Sequence, residues 1–123
     1  FQIMPVVVVT TDKQLPKEFD QKFVEFLGST LNKPPGNIFI QINDNQRLTL
    51  GGLPSTQGTV VLEIKAIGIF NPESNAEFSR QISEWLSNGL QIPAERVIIE
   101  FSDLNPGFVG KAGTTIQKLL SRQ

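Results

Sequence analysis

The chain has no cysteine, no histidine and no tyrosine, with only one tryptophan and one methionine among 123 residues. The first two absences exclude a disulfide framework, a thiol nucleophile, a zinc site of Cys/His type and a Ser-His-Asp triad. Any acid or base must therefore be a carboxylate, a lysine or a terminal amine. An excess of either charge is also missing. Eleven Lys and Arg balance twelve Asp and Glu for a net charge of −1, so there is no electrostatic footprint for a nucleic-acid partner. The longest apolar run near the start, Ile3 to Val9, lacks a basic flank and is far too short to span a bilayer, so neither a targeting segment nor membrane insertion is expected. With 39% hydrophobic residues, the remaining expectation is a single soluble domain over 1–123 with a core of its own.

An internal duplication organises what is present. Phe19, Phe23, Phe26, Leu27, Leu31, Pro34, Ile38 and Ile40 recur 59 residues later as Phe78, Ile82, Trp85, Leu86, Leu90, Pro93, Val97 and Ile99. In each copy an apolar stripe at helical spacing meets a proline and gives way to period-two alternation, which predicts helix, break and strand. Ser74 with Glu77 fits a capping box for the second helix, and Pro16 pre-sets the entry to the first. A β-branched strand precedes each helix, at Val6 to Thr10 and at Val60 to Ile67. The unit is β-α-β, repeated over about 5–43 and 60–102. The fold class that follows is α+β, a four-stranded mixed sheet with two helices on one face. The other sheet face then needs cover, which predicts an oligomer with sheets facing inward.

Between the copies, Asn43 to Gln46 and Gly51-Gly52 read as turns around a short strand at Arg47 to Leu50. Asn105-Pro106-Gly107 marks a later turn, and Ile116, Leu119 and Leu120 suggest a terminal helix. Glu63 and Lys65 alternate with apolar residues and read as a solvated strand face rather than a catalytic pair. The duplication breaks at Lys33, whose counterpart is Ile92. Either the surface diversified there, the commoner case, or one copy carries a charge in a pocket.

The order and spacing of several short motifs then carry a resemblance over nearly the whole chain. They are Met4-Pro5 followed by four valines and Thr10-Thr11, Lys33-Pro34-Pro35, Leu50-Gly51-Gly52, Ala66-Ile67-Gly68, Ile92 to Val97, and Phe101 to Asn105 with Val109-Gly110. The chain resembles the macrophage migration inhibitory factor and D-dopachrome tautomerase family, and its tail, Val109 to Thr114, is closer to the D-dopachrome branch. The resemblance implies a homotrimer and a keto–enol tautomerase of small aromatic α-keto acids or dopachrome that needs no cofactor. It implies Pro5 as the catalytic base through a free terminal amine, and Lys33 as the group that holds the substrate carboxylate. It implies a donor in the Ile67 backbone N–H, and Ile98, Phe101, Phe108 and Val109 around the aromatic end of a pocket between subunits. Cytoplasmic residence, export without a signal peptide and a cell-surface receptor also follow from it.

Departures from the family pattern set the open questions. Phe1 to Met4 precede Pro5, and an acylated proline nitrogen has no basicity. Three readings stand: those residues are removed; they stay and the protein is a catalytically silent signalling ligand; or Phe1 or Gln2 occupies the proline slot. The last draws on a Pro5–Pro16 segment about three residues shorter than relatives show. Pro5 is preferred because Pro-Val-Val-Val-Val-Thr-Thr reproduces the family's opening strand without a gap. Ile98 stands where some members carry a tyrosine and Glu100 where they carry a neutral amide, which argues for altered substrate preference. A two-layer ligand-binding module unrelated to tautomerases is the remaining alternative.

Overall fold

A computed structural model describes residues 5–122. Its centre is a four-stranded sheet built from β1 (Val6–Thr11), β2 (Phe39–Asn43), β5 (Val60–Ala66) and β6 (Val97–Asp103), in the order β2-β1-β5-β6. The pairs β1–β2 and β5–β6 are parallel, and β1 meets β5 antiparallel. A parallel pair needs a crossover, and each is bridged by a helix: α1 (Phe19–Leu31) in the first copy and α2 (Pro72–Leu90) in the second. The mixed sheet of two β-α-β units is thus as the periodicity predicts.

Both helices cover one sheet face. Val7 and Val9 of β1 and Val60, Leu62 and Ile64 of β5 are fully buried against Phe23 and Leu27 of α1 and Ile82 and Leu86 of α2. Each such side chain contributes about 1.5–3 kcal/mol on burial. The alternate residues Val6, Val8, Val61, Glu63 and Lys65 lie half-exposed on the other face. Register sets that face in three rows: Phe39, Val6, Lys65 and Ser102; then Gln41, Val8, Glu63 and Glu100; then Asn43, Thr10, Val61 and Ile98. It is apolar at two corners, where Phe39 and Ile98 are exposed, and carries two adjacent carboxylates in its middle row.

The duplication is repeated in the backbone. Asn32 and Gln91, 59 apart, both end their helices in the left-handed conformation (φ 54° and 57°). Lys33 N–H then donates to the Gly28 carbonyl at 2.9 Å and Ile92 N–H to that of Ser87 at 3.2 Å, closing both C-termini alike. A 3-10 turn follows each proline, Pro35–Asn37 and Ala94–Arg96. The strands keep a different offset. Val6 pairs with Phe39 and Val61 with Ile98, so the opening strands are 55 apart and the closing ones 59. The second copy has gained four residues between strand and helix, close to one helical turn.

That extra turn overturns the expected helix start. Asn71, not Ser74, is the N-cap of α2: its side chain accepts from Ser74 N–H at 2.8 Å while Ser74 Oγ accepts from Asn71 N–H at 3.0 Å, with Pro72 at the first position. Glu77 falls in the second turn and pairs with Arg80 instead. The opening strand of the inter-copy segment is also shorter than expected. Only β3 (Thr49–Leu50) of the Arg47–Leu50 stretch is extended, and it pairs with β4 (Leu53–Pro54). Gly51 and Gly52 (φ 62° and 81°) make the tight turn between them, a conformation in which any other residue is strained. Past β6, a 3-10 turn at Pro106–Phe108 leads into a small hairpin of β7 (Gly110–Lys111) and β8 (Thr114–Thr115) and the terminal helix α3 (Ile116–Leu120). No helix among the described residues is long and apolar enough to cross a membrane.

Candidate functional site

The β-α-β connectivity decides which residues meet. Pro5 directly precedes β1; it is buried, and its carbonyl accepts Phe39 N–H at 3.0 Å, extending the β1–β2 ladder by one rung. α1 returns the chain across the sheet to the point where β2 starts beside β1. Lys33, just past the end of α1, therefore stands at the same end of the sheet as Pro5. Its side chain is half-exposed, and no hydrogen bond or ion pair holds its ammonium among the described residues. β5 runs antiparallel to β1, which brings its far end, Ala66, to this corner, with Ile67 next along. Pro5, Lys33 and Ile67 thus come from three separate segments to one sheet end.

The other expected residues distribute differently. Ile98 lies at the opposite end of β6, paired with Val61 and 52% exposed. The level of Pro5 is five residues further along, roughly 17 Å at the usual rise per strand residue, so one chain cannot bring Ile98 to its own Pro5. Phe101 sits on the helix-covered face, with its ring edge-on to Phe70 at 5.2 Å and tilted against Phe78 at 6.4 Å. It packs within the core of the second copy, behind the sheet surface that Ile98 occupies. Phe108, 88% exposed, and Val109 follow β6 as it leaves the Ala66 end. The Asn105 side chain accepts Gly107 N–H at 2.8 Å, and the Val109 carbonyl accepts Ile116 N–H at 2.9 Å, which fixes this segment on α3. Placing Phe1 or Gln2 in the proline slot falls outside the described residues.

Grooves of about 680 and 280 Å³ flank Trp85 on the outer side of the helices, and another of about 360 Å³ lies at the opposite sheet end beside Lys13 and Gly58. None of the three includes Pro5, Lys33 or Ile67. The perturbed titrations are likewise remote. The hydrogen bond and charge of Arg80 hold Glu77 down to about 2, and Glu77 in turn raises Arg80, both on exposed α2. No cluster of carboxylates with metal-ligand geometry occurs among the described residues.

One residue at the corner escaped sequence reasoning as a functional group. Asp103, the last residue of β6, accepts Gly68 N–H at 3.0 Å through its carboxylate. The available signal was the repeat itself, because Asp44 stands 59 residues earlier and accepts Leu15 N–H at 3.0 Å in the same manner.

Comparison with known proteins places this geometry in a family. The profile described as "Macrophage migration inhibitory factor (MIF)" matches residues 4–117, so that the match opens directly before Pro5. The MIF-like protein mif-2 of Caenorhabditis elegans is 32% identical over 92% of this chain and 95% of its own length. A D-dopachrome decarboxylase of Xenopus tropicalis is 26% identical over 92% of this chain and 98% of its own, which gives the expected D-dopachrome branch weaker support. The solved structure of the macrophage migration inhibitory factor from Trichinella spiralis superposes with a TM-score of 0.80 at 30% identity, covering 89% of this chain and 98% of that one.

Proposed function

Because the chain belongs to the macrophage migration inhibitory factor family, we propose that it is a keto–enol tautomerase of small aromatic α-keto acids, with Pro5 as its base once that nitrogen is uncovered. The observation that carries this reading is the convergence of Pro5, Lys33 and Ile67 at one sheet end. A terminal secondary amine that is partly desolvated and close to a cation loses affinity for its proton and becomes a free base nearer neutrality. Pro5 nitrogen takes the proton from the carbon next to the keto group, the C–H electron pair forms the C=C bond, and the carbonyl π pair moves onto the oxygen. Lys33 pairs with the substrate carboxylate, and the Ile67 N–H donates to the oxygen as its charge develops. The proton held by Pro5 then passes to that oxygen, giving the enol and restoring the amine. No cofactor enters these steps.

The ring end of the pocket is completed by a second subunit in this reading. Since Ile98 lies about five residues from the level of Pro5 along the sheet, it reaches a proline only across a subunit boundary, with Phe108 and Val109 near the mouth. A homotrimer with the uncovered sheet faces inward supplies that neighbour, and it covers the exposed Phe39 and Ile98. Dopachrome is the second substrate class, brought in by the relative named for its decarboxylation.

A catalytically silent signalling ligand is the second reading, and one observation favours it: in this chain Pro5 follows Met4, so its nitrogen is an amide. Its setting is release from the cytoplasm to a cell-surface receptor. Phenylpyruvate tautomerisation by two mass-verified preparations, one beginning at Phe1 and one at Pro5, separates the two. Activity in the Pro5 form alone is the expected result. Inactivity of both removes the tautomerase reading and leaves the ligand.

A further inference from the structure

We propose that Asp103 is a positioning residue that holds the Ile67 peptide in place at the Pro5–Lys33 corner; the inference rests on the catalytic reading above for its kinetic consequence, not for its structural one. Ile67 is the first residue beyond β5, where ladder pairing ends. Two bonds from the end of β6 bracket it. On one side Leu104 N–H donates to the Ala66 carbonyl at 2.8 Å; on the other, Gly68 N–H donates to the Asp103 carboxylate at 3.0 Å. Asp103 at the end of β6 and Leu104 directly after it thus grip both flanks of the single residue Ile67. Gly68 has φ 73°, a conformation that turns the chain sharply away from the sheet and that open space around its Cα does nothing to enforce. At Gly68 itself the turn is held by hydrogen bonding, with packing resuming at Ile69 and Phe70, and Asp103 supplies the charged partner.

The duplication provides an internal reference. Asp44 directly follows β2, 59 residues before Asp103 at the end of β6, and it too accepts an N–H from the loop after the neighbouring strand, that of Leu15. Leu15, the bonded residue, is itself packed against the core, whereas the bonded Gly68 is exposed and the nearest packed side chain beyond it is that of Ile69. Loss of the Asp44 bond leaves its loop anchored by Leu15. Loss of the Asp103 bond leaves the Ile67 N–H held from one side only, by the Leu104–Ala66 bond, and a donor displaced by even about 1 Å weakens transition-state stabilisation more than substrate binding.

The test compares Asp103→Ala, Asp103→Asn and Asp44→Ala in the preparation beginning at Pro5. Amide hydrogen exchange at Ile67 and Gly68 is measured beside phenylpyruvate kinetics. In Asp103→Ala, exchange at Gly68 is expected to rise at least tenfold, and kcat to fall roughly tenfold with KM changed less than twofold. Asp103→Asn, which keeps an acceptor, recovers most of both, and Asp44→Ala leaves kcat unaltered. Unchanged exchange at Gly68 overturns the proposal whatever the kinetics. Equal losses of kcat in Asp44→Ala and Asp103→Ala overturn it as well, since they indicate a merely structural role. If the parent protein is inactive, the tautomerase reading fails, and the exchange data alone decide the positioning role.

Discussion

The two copies of the β-α-β unit build the same corner and fill it with opposite chemistry. In the second copy Val60 opens the strand and Ile92 follows the helix, 0% and 2% exposed. The preceding chain lies so close that a Cβ on Gly58 would sit 3.1 Å from Ile92 and 2.7 Å from Lys13. The equivalent positions in the first copy are Pro5 and Lys33, a strand start and an amine left half-exposed. A duplicated scaffold guarantees that both corners have the same backbone. The comparison shows that one has been closed with alkyl groups for stability, while the other keeps a charge and a ring nitrogen at the same place. The half-exposed charge at Lys33 is therefore the exception to a scaffold whose other copy buries an alkyl group at the same position.

Exchanging the two residues at this corner gives the largest expected effect. Ile92→Lys puts an ammonium with no partner into a sealed site and is expected to cost on the order of 3 kcal/mol or more, read by urea denaturation. Lys33→Ile is expected to alter stability by less than about 1 kcal/mol, while removing a charge-assisted contact and lowering kcat/KM for phenylpyruvate roughly ten- to hundredfold. Equal destabilisation by the two exchanges would abolish the distinction between the corners.

A smaller effect is expected where the helices close. Gly28 corresponds to Ser87, whose hydroxyl donates to the Ile92 carbonyl. A Cβ on Gly28 would approach the Pro35 ring at 2.8 Å and the Lys33 carbonyl oxygen at 2.9 Å. Gly28→Ser should thus cost about 1–3 kcal/mol by overpacking, whereas Ser87→Gly should cost about 1 kcal/mol through one hydrogen bond and helix propensity. Thermal denaturation of the pair checks the order, and a tolerated Gly28→Ser would show that the first corner is looser than its contacts imply.

The least expected effect concerns the outer helix faces. Gln21 and Glu25 of α1, joined at 3.1 Å, match Arg80 and Glu84 of α2, 59 residues on. Only α2 carries the charged version, and there Glu77 is held down to about 2 by Arg80 and Gln81. A carboxylate whose folded-state value is depressed stabilises above its ordinary range and loses that contribution as pH falls toward 2. Both groups are exposed, so only a slight acid sensitivity of α2 is expected. Carboxyl titration by NMR should find Glu77 near 2 and return it toward the ordinary range in Arg80→Ala. An unchanged midpoint would assign the shift to something other than the arginine.

Much of the fold was legible because periodicity reports burial directly. The stripes Phe19–Phe23–Leu27–Leu31 and Phe78–Ile82–Leu86 face the sheet. The alternation of Val6–Thr11 and Val60–Ala66 gives the two faces of β1 and β5. What misled was local. Ser74-x-x-Glu77 has the composition of a capping box, yet the Asn71-Pro72 start one turn earlier wins because the asparagine side chain accepts a free N–H there and the proline has none to satisfy. Phe101 read as a pocket residue by resemblance, and its face became evident only with the pairing of Ile64 and the rings of Phe70 and Phe78. The role of Asp103 was hidden for a related reason: a carboxylate bonded to a turn 35 residues away leaves no local pattern.

Sequence by itself determined the repeat, the two helices, the four principal strands and the break at Lys33, since each is written in spacings of four or fewer residues or in one constant offset. Tertiary structure alone decided which segments share a sheet end. The antiparallel meeting of β1 and β5 brings Ile67 to Pro5 and carries Ile98 away from it. That choice is made by strand register between distant segments, where burying one continuous apolar face against two helices selects a single pairing.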